Sequence, residues 1–424
     1  MIRISTGGPK FNIVNNDPFM SIQLIKEATV ATLLFLGVVL FINLVPFKFE
    51  FIKPIKQDFD DFDIYDLFYS GKGKENPGVK DKDVIIVQVG NSRQEITDQI
   101  NKIKSLQPAV IGVDISFAEP KDPATDALLI QALTNDSILT GYTLDPLSKN
   151  GHIIKETFLP AEFFKQHGGF INFAHADSTS VIRAFAPFYG NDKEYISLAA
   201  RVTKQYSNEQ FAKLEKRGRQ KEFINYAGGL DHYLNYTAAE FDKLYQASQL
   251  SVFKGKIVLL GFFTPSDGSA IVMDDVKFSP LNPKTNGKSF PDTYGVVIHA
   301  NIISMILDGH QYVEAPPILV SYLISFVICF FISLFLLFLH KRYNHPSHLL
   351  IFVLQVAFVI ALIYFFLKLF DWYHVRINLL PIILVIVVSV EMFELYKRLA
   401  IFLYRKSREK YKTIFSKAEK STHS

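Results

Sequence analysis

Two short apolar runs, at residues 84–89 and 109–115, flank an amphipathic stretch and predict the centre of the fold. Both runs are apolar on both faces, which is typical of strands buried in a parallel sheet. Between them, isoleucine and leucine recur at the spacing of one helix face. Ser92 and Glu95 are spaced as a capping box that starts this helix, and Pro108 stops it. We therefore predict a right-handed β-α-β unit that opens an α/β domain.

The pattern beyond this unit predicts a mixed, largely parallel sheet with flanking helices. Residues 168–190 alternate apolar and polar positions, so we predict a hairpin there, with 183–189 as its returning strand. The stretch at 264–294 is long for a loop, so we expect it to be mobile or to form a binding site. The other predicted elements are helices within 117–134, 195–206 and 295–309, and strands at 137–144, 223–228 and 253–263.

Four longer apolar runs predict four transmembrane helices, because each is about long enough to cross a bilayer. They occupy residues 28–45, 318–339, 349–369 and 377–395. No small-residue cleavage site follows the first run, so we interpret it as an uncleaved signal anchor rather than a signal peptide. The remaining segments are a leader at 1–27, a soluble domain at 46–316 and a basic tail at 396–424.

Charge is divided between these regions in a way that predicts topology. Residues 46–316 carry 29 Lys and Arg against 34 Asp and Glu, whereas the rest of the chain carries 16 against 7. Since cytoplasmic loops are rich in Lys and Arg, we expect both termini in the cytoplasm and residues 46–316 outside the inner membrane of a bacterium. The net charge of +4 is the sum of two opposite excesses, so it does not indicate nucleic-acid binding. The single cysteine, Cys329, leaves no intrachain disulfide, which favours a bacterial source.

Motifs for enzymatic chemistry are absent from the sequence, which contains no GxSxG, HExxH, GxxxxGK[ST] or GxGxxG pattern. We therefore expect no catalytic residues, no metal ligands, no cofactor and no enzymatic activity. Asp114 is the most informative acid, because it ends a buried strand and open α/β sheets bind ligands outside the carboxyl ends of their strands. The alternative is that Asp114 caps the amides of a neighbouring loop.

An ordered set of segments resembles a known family. VIIVQVG, AVIGVDISFAEP, GGFINF, DSTSVIRAFAPF, FKGKIVLLGFF and YGVVIHANIISMIL follow one another between residues 80 and 310. This order is similar to that of the second class of CHASE domain, the cyclase/histidine-kinase-associated sensory extracellular domain. The resemblance implies a bacterial extracytoplasmic sensor, with Asp114, Asp126, Arg183 and His299 as the candidate ligand-binding residues. We expect most of the other matching positions to determine the fold: Gly112, Phe117, Pro120, Gly255, Lys256, Gly261, Pro280, Gly295, Ala300 and Asn301.

The resemblance also implies an output partner. Family members usually continue into a catalytic output domain, whereas about 28 residues follow the last apolar run here. We therefore expect a receptor subunit that signals through its helices to a separate cytoplasmic protein, with a homodimer as the default assembly. The basic residues expected to dock this partner are Lys341, Arg342, Lys397, Arg398, Arg405 and Lys406. The alternative is a structural or scaffolding subunit, in which the domain binds envelope proteins and the helices anchor it in the lipid bilayer.

Overall fold

A computed structural model describes residues 18–44, 63–74, 78, 81–145, 154–155, 157–173, 181–264, 275–282, 291–342 and 348–390, with single residues or pairs between 392 and 406. Their contacts divide the chain into two units. The α/β unit comprises residues 50–314, and the helical unit comprises residues 1–49 and 315–424.

A six-stranded sheet forms the centre of the α/β unit. The described strands are β1 Val84–Gln88, β2 Val110–Val113, β3 Ile138–Tyr142, β4 Gly168–Phe170, β5 Ala184–Phe185, β6 Phe188–Tyr189, β7 Tyr195–Ile196, β8 Glu222–Phe223, β9 Leu234–Tyr236, β10 Ile257–Gly261, β11 Val276–Lys277 and β12 Thr293–Tyr294. The main sheet has the order β4-β3-β2-β10-β1-β9, and every pair in it is parallel. The mixed α/β fold with a parallel central sheet is therefore confirmed.

Helices cover both faces of this sheet. The described helices are α1 Pro18–Leu44, α2 Asp66–Lys74, α3 Arg93–Ser105, α4 Pro123–Leu133, α5 Ala161–His167, α6 Leu198–Tyr206, α7 Asn208–Arg217, α8 Ala238–Gln246, α9 Gly295–Asp308, α10 Ile318–Arg342, α11 His348–Tyr373 and α12 Leu380–Val390. On one face, α3, α4 and α8 bury apolar side chains such as Ile100, Leu129 and Phe241 in a single core. On the other face, α6 contacts β2, β3 and β4, while α9 contacts β1 and β10. Each large apolar side chain that is fully buried contributes about 1.5–3 kcal/mol to stability.

Helix α3 begins as its sequence predicts. The Ser92 side chain accepts a hydrogen bond from the Glu95 N–H at 3.2 Å. The Glu95 carboxylate accepts one from the Asn91 N–H at 2.7 Å, one residue before the amide that a capping box engages. The isoleucines of the predicted stripe are buried against the sheet. The strand, helix and strand of the first unit are therefore confirmed, apart from this shift of one residue at the cap, and β10 lies between the two strands in the sheet.

The hairpin predicted at 168–190 is wrong. Strand β4 joins the edge of the main sheet, parallel to β3. The expected returning strand is divided into β5, which pairs antiparallel with β8, and β6, which pairs antiparallel with β7. The turn expected at 175–180 lies outside the described residues. The alternating pattern is present, but β5 pairs with the distant β8, and β6 forms a short hairpin with β7, which follows it in the chain.

The stretch at 264–294 contains two short strands. β11 and β12 pair antiparallel, with Val276 opposite Tyr294. The Ser279 and Thr293 hydroxyls are 2.6 Å apart beside this pair. Residues 265–274 and 283–290 lie outside the described residues, so the expected mobility or binding role of this stretch stays a prediction.

Helix α1 packs along α10 inside the helical unit. Ala28 and Ala31 of α1 and Cys329 of α10 are fully buried in this contact. The Thr32 and Ser333 hydroxyl oxygens lie 3.5 Å apart across it. Small side chains let two helix backbones approach closely, which is the usual basis of helix association in membranes.

Two described helices are long and apolar enough to cross a membrane, Ile318–Leu339 and Leu349–Tyr373. The sequence predicts four such spans. The first predicted span lies in α1, which begins at Pro18 and so extends into the expected leader. The fourth lies in α12, a shorter apolar helix in the part of the chain that the structure describes. The structure therefore supports two candidate spans by length and composition, not four.

Candidate functional site

The carboxyl edge of the main sheet places Asp114 directly beyond β2. Its backbone N–H donates to the Leu260 carbonyl of β10 at 2.8 Å, so strand pairing fixes its position. Successive strand residues point to opposite faces, and Asp114 points to the face that α9 covers. Its side chain is only 10% exposed. The residue therefore lies at the sheet edge where open α/β folds bind ligands, and it is almost buried there.

His299 of α9 is the partner of Asp114. Its Nε2 lies 3.5 Å from the Asp114 Oδ1, and its side chain is 4% exposed. The imidazole packs on the Phe173 ring, with 4.7 Å between ring centroids. Two of the four predicted ligand-binding residues, which are 185 positions apart in sequence, therefore meet at one site.

Gly261 at the end of β10 permits this contact. A Cβ atom at this position would lie 2.7 Å from the Val296 Cβ on α9 and 3.3 Å from the Asp114 Cβ. Real side chains do not approach so closely, so any larger residue would push α9 away from the strand end. The glycine thus lets the first turn of α9 lie on the sheet edge, which brings His299 to Asp114.

Burial dominates the electrostatics of the pair. It raises the pKa of the Asp114 carboxyl, an effect that His299 and Lys277 oppose and Asp275 reinforces. Burial also lowers the pKa of His299, against the opposing influence of the Asp114 carboxylate and the backbone of Ile171. The imidazole is therefore mainly neutral at pH 7, since its ordinary pKa is already below that value.

The N-terminus of α9 adds a second favourable interaction for the Asp114 carboxylate. A Cβ atom on Gly295, the first residue of α9, would lie 3.6 Å from the Asp114 Oδ2, so the carboxylate lies beside the positive end of the helix dipole. The alternative interpretation, in which Asp114 caps the amides of a neighbouring loop, stays a prediction. The arrangement can exchange a proton or accept a hydrogen bond from a polar ligand. No group of three or more His, Cys, Asp and Glu side chains suited to a metal occurs in the described part of the chain.

Asp126 lies elsewhere, in an ion pair on the first turn of α4. The Arg93 guanidinium contacts its carboxylate, and the Lys121 N–H donates to it at 2.8 Å. Burial tends to raise the pKa of Asp126, but the hydrogen bonds and positive charge of Arg93, together with the Lys121 amide, lower it. The Arg93 guanidinium also lies 4.3 Å from the centroid of the Phe158 ring. These contacts fasten the loop before α4 to α3, so Asp126 is already occupied by a structural interaction.

Arg183 is likewise paired, with Asp66 at the start of α2. Its Nε and Nη2 donate to the carboxylate at 2.9 and 2.6 Å. The Asp66 side chain is 1% exposed, and its burial raises the pKa of the carboxyl although Arg183 lowers it. Charge alone would favour an exposed position for Asp66, whereas the structure buries it. Its only local signal is its position among tyrosines and phenylalanines, which favour burial.

The basic residues expected to dock a cytoplasmic partner are not brought together by any described contact. Lys341 and Arg342 are the last two residues of α10. Arg398 and Lys406 are exposed. The other two candidates, at positions 397 and 405, lie outside the described residues. Docking at these positions stays a prediction.

Comparison with known proteins identifies one family. The family model described as the CHASE2 domain matches residues 52–339, which is more than half of the chain. The match covers the whole described α/β unit and the first candidate span after it. No curated protein and no solved structure matches the chain.

Proposed function

The chain belongs to the CHASE2 family of sensory extracellular domains, and from this premise we propose that it is a membrane-anchored extracytoplasmic sensor in bacteria. Residues 46–316 bind a ligand or a partner protein outside the inner membrane. Binding changes the packing of the membrane helices, and a separate cytoplasmic protein responds to this change. A ligand can shift two states only by its differential affinity for them, so the site must differ between the states.

The contact between Asp114 and His299 carries this proposal. It joins the ligand-binding edge of the sheet to α9, and α9 is the last helix of the α/β unit. Helix α9 ends at Asp308, and the candidate span begins at Ile318. A ligand that alters the Asp114–His299 contact therefore acts on the element that leads directly to the membrane.

Membrane anchoring by four helices is the second part of the proposal. Two candidate spans support it, as do the apolar helices α1 and α12 at the other two predicted positions. The excess of Lys and Arg outside residues 46–316 supports cytoplasmic termini. We further propose that the chain acts without a catalytic activity or cofactor of its own, and that its response depends on the separate partner.

Crosslinking of the full-length protein in its native membrane tests this function. His299→Gln removes the imidazole from the site, whereas His310→Gln changes an exposed histidine eleven residues further on and serves as the matched control. Mass spectrometry identifies the proteins crosslinked to the chain. We expect a cytoplasmic signalling protein whose crosslinking yield changes at least about threefold in His299→Gln, a shift of roughly 0.7 kcal/mol in a two-state equilibrium, and is unchanged in His310→Gln.

Two results would contradict the sensor proposal. One is a crosslinking profile that is identical in wild type and His299→Gln. The other is a set of partners confined to envelope proteins outside the inner membrane, which is the outcome expected for a structural or scaffolding subunit.

A further inference from the structure

Four consecutive residues between α9 and α10 are held by one short region of the α/β unit, residues 217–225. We call Gln311–Glu314 the exit segment, since Glu314 is the last residue of this unit and α10 begins at Ile318. The Asn225 Nδ2 donates to the Gln311 carbonyl at 3.1 Å, and the Arg217 guanidinium lies 4.2 Å from the centroid of the Tyr312 ring.

Two arginines complete this attachment. Arg219 Nη1 donates to the Val313 carbonyl at 3.3 Å, and its Nη2 contacts the Glu314 carboxylate. Arg217 Nη1 donates to the same carboxylate at 2.7 Å. Arg217 and Arg219 are therefore both turned toward the exit segment.

A second glutamate, Glu222, also contacts both arginines. Arg217 donates to the Glu222 carboxylate through Nε at 2.6 Å and through Nη2 at 3.1 Å. Arg219 Nη1 lies 3.6 Å from the same carboxylate. We call Arg217, Arg219, Glu222 and Glu314 the four-charge cluster, and its formal charges sum to zero.

The two carboxylates of the four-charge cluster differ in exposure, and this difference decides which contact can open. The Glu222 side chain is 1% exposed, whereas the Glu314 side chain is 45% exposed. Breaking a buried ion pair is costly because it leaves an unpaired charge, whereas an exposed pair contributes little to stability. The arginines therefore stay on Glu222, while Glu314 can leave them and return.

We propose that the Glu314 contact with Arg217 and Arg219 is a releasable joint, through which displacement of α9 reaches the membrane helix α10. When the contact is closed, the exit segment is fixed to the α7–β8 corner. When it opens, Glu314, the last residue of the exit segment, can follow α9 and change the first turn of α10. This inference rests on the proposed sensor function and names the element that relays its signal.

The electrostatics of Glu314 agree with a closed state at neutral pH. Partial burial tends to raise the pKa of its carboxyl, but hydrogen bonds from Arg217 and Arg219 lower it. Since the pKa in the folded protein lies below that of a free glutamate, the stabilisation is present above about pH 4.5 and is lost as the pH falls through the lowered value. The joint is therefore held by charge, and it opens when that charge is removed.

Glu314→Gln removes the charge without changing the shape, and it is the test variant. Its control is Glu209→Gln, which removes an exposed ion pair with Lys213 (2.9 Å) on the neighbouring helix α7. Glu314→Asp keeps the negative charge and is the conservative variant. Hydrogen exchange of the full-length protein in lipid nanodiscs reports opening of the exit segment, and crosslinking of the cytoplasmic partner in native membranes reports output.

We expect exchange at the exit segment to rise about fivefold in Glu314→Gln, to stay unchanged in Glu209→Gln and to rise less in Glu314→Asp, which keeps the charge. We also expect Glu314→Gln to change the partner crosslinking yield. Unchanged exchange, or raised exchange with unchanged crosslinking, would overturn the joint. If His299→Gln still changes the crosslinking yield in that case, the sensor function stands without the joint. If neither His299→Gln nor Glu314→Gln changes the crosslinking yield, both proposals are refuted.

Discussion

Replacing Arg183 by methionine would leave the buried Asp66 carboxylate without its partner. The Asp66 side chain is 1% exposed and that of Arg183 is 13% exposed, so little water is available to replace the guanidinium. Methionine has a similar length and fills the space of the arginine stem. The variant therefore isolates the loss of charge and hydrogen bonds from the creation of a cavity.

The size of the effect has a ceiling set by pH, because the unpaired carboxylate can become protonated. An exposed aspartate has a pKa of 3.8, and protonating it costs about 1.4 kcal/mol for each pH unit above that value. The ceiling is thus about 4 kcal/mol at pH 7 and about 2 kcal/mol at pH 5. The value at pH 7 agrees with the ~3–5 kcal/mol typical of a broken buried ion pair. Because loss of Arg183 raises the folded-state pKa of Asp66 further, the variant loses stability as the pH rises.

Pulse proteolysis of the detergent-solubilised full-length protein across a urea gradient measures this loss. With a slope of about 3 kcal/mol per molar urea, we expect the midpoint to fall by about 1.3 M at pH 7 and by less than about 0.7 M at pH 5. Asp66→Asn combined with Arg183→Met should recover most of the loss, whereas Lys213→Met, which breaks an exposed pair, should shift the midpoint little. An equal loss at both pH values, or a double variant as unstable as Arg183→Met, would refute this reasoning.

Two further predictions concern close packing. Gly261→Ala should destabilise the α/β unit by about 1–3 kcal/mol, because the new methyl group would displace α9. For the same reason, it should weaken the effect of His299→Gln on partner crosslinking. Gly229→Ala, with no atom within 4 Å of its added Cβ, is the control. Cys329→Leu should lower the temperature at which the detergent-solubilised protein aggregates, because Cys329 is fully buried between α1 and α10. Size-exclusion chromatography after heating measures this temperature. Val327→Leu changes an exposed residue and is the control, and an equal effect of both variants would contradict the packing described.

Elements with a strong local pattern are those that the sequence predicts well. The unit β1–α3–β2 is an example, because each strand is apolar on both faces and the helix has one apolar stripe. The position of β10 between β1 and β2 is not predictable in this way, since it depends on pairing between residues about 150 to 170 positions apart. The failed hairpin at 168–190 has the same cause, because its two halves pair with other strands.

The candidate site shows the same limit for side chains. The position of Asp114 at a strand end indicates a ligand-binding edge, but only the fold reveals His299 as its neighbour. Asp126 and Arg183 are charged residues at matching family positions, and the sequence does not show that Arg93 and Asp66 already neutralise them. A charge is available to a ligand only when no nearby residue satisfies it, and that condition is a property of the tertiary structure.

Helix α9 suits the proposed relay because it contacts Asp114 through His299 and ends just before the exit segment. Its fourteen residues span about 21 Å, and most of its side chains are buried against β1, β10 and α6. His299 lies on its second turn, while Gly309 ends it in a left-handed conformation with φ of 69°, just before the exit segment. In the proposed relay, a displacement at its first turns is carried to its last turn because the helix is packed along its length. The relay therefore requires no chain of polar contacts between Asp114 and Glu314, only two packing positions of one helix.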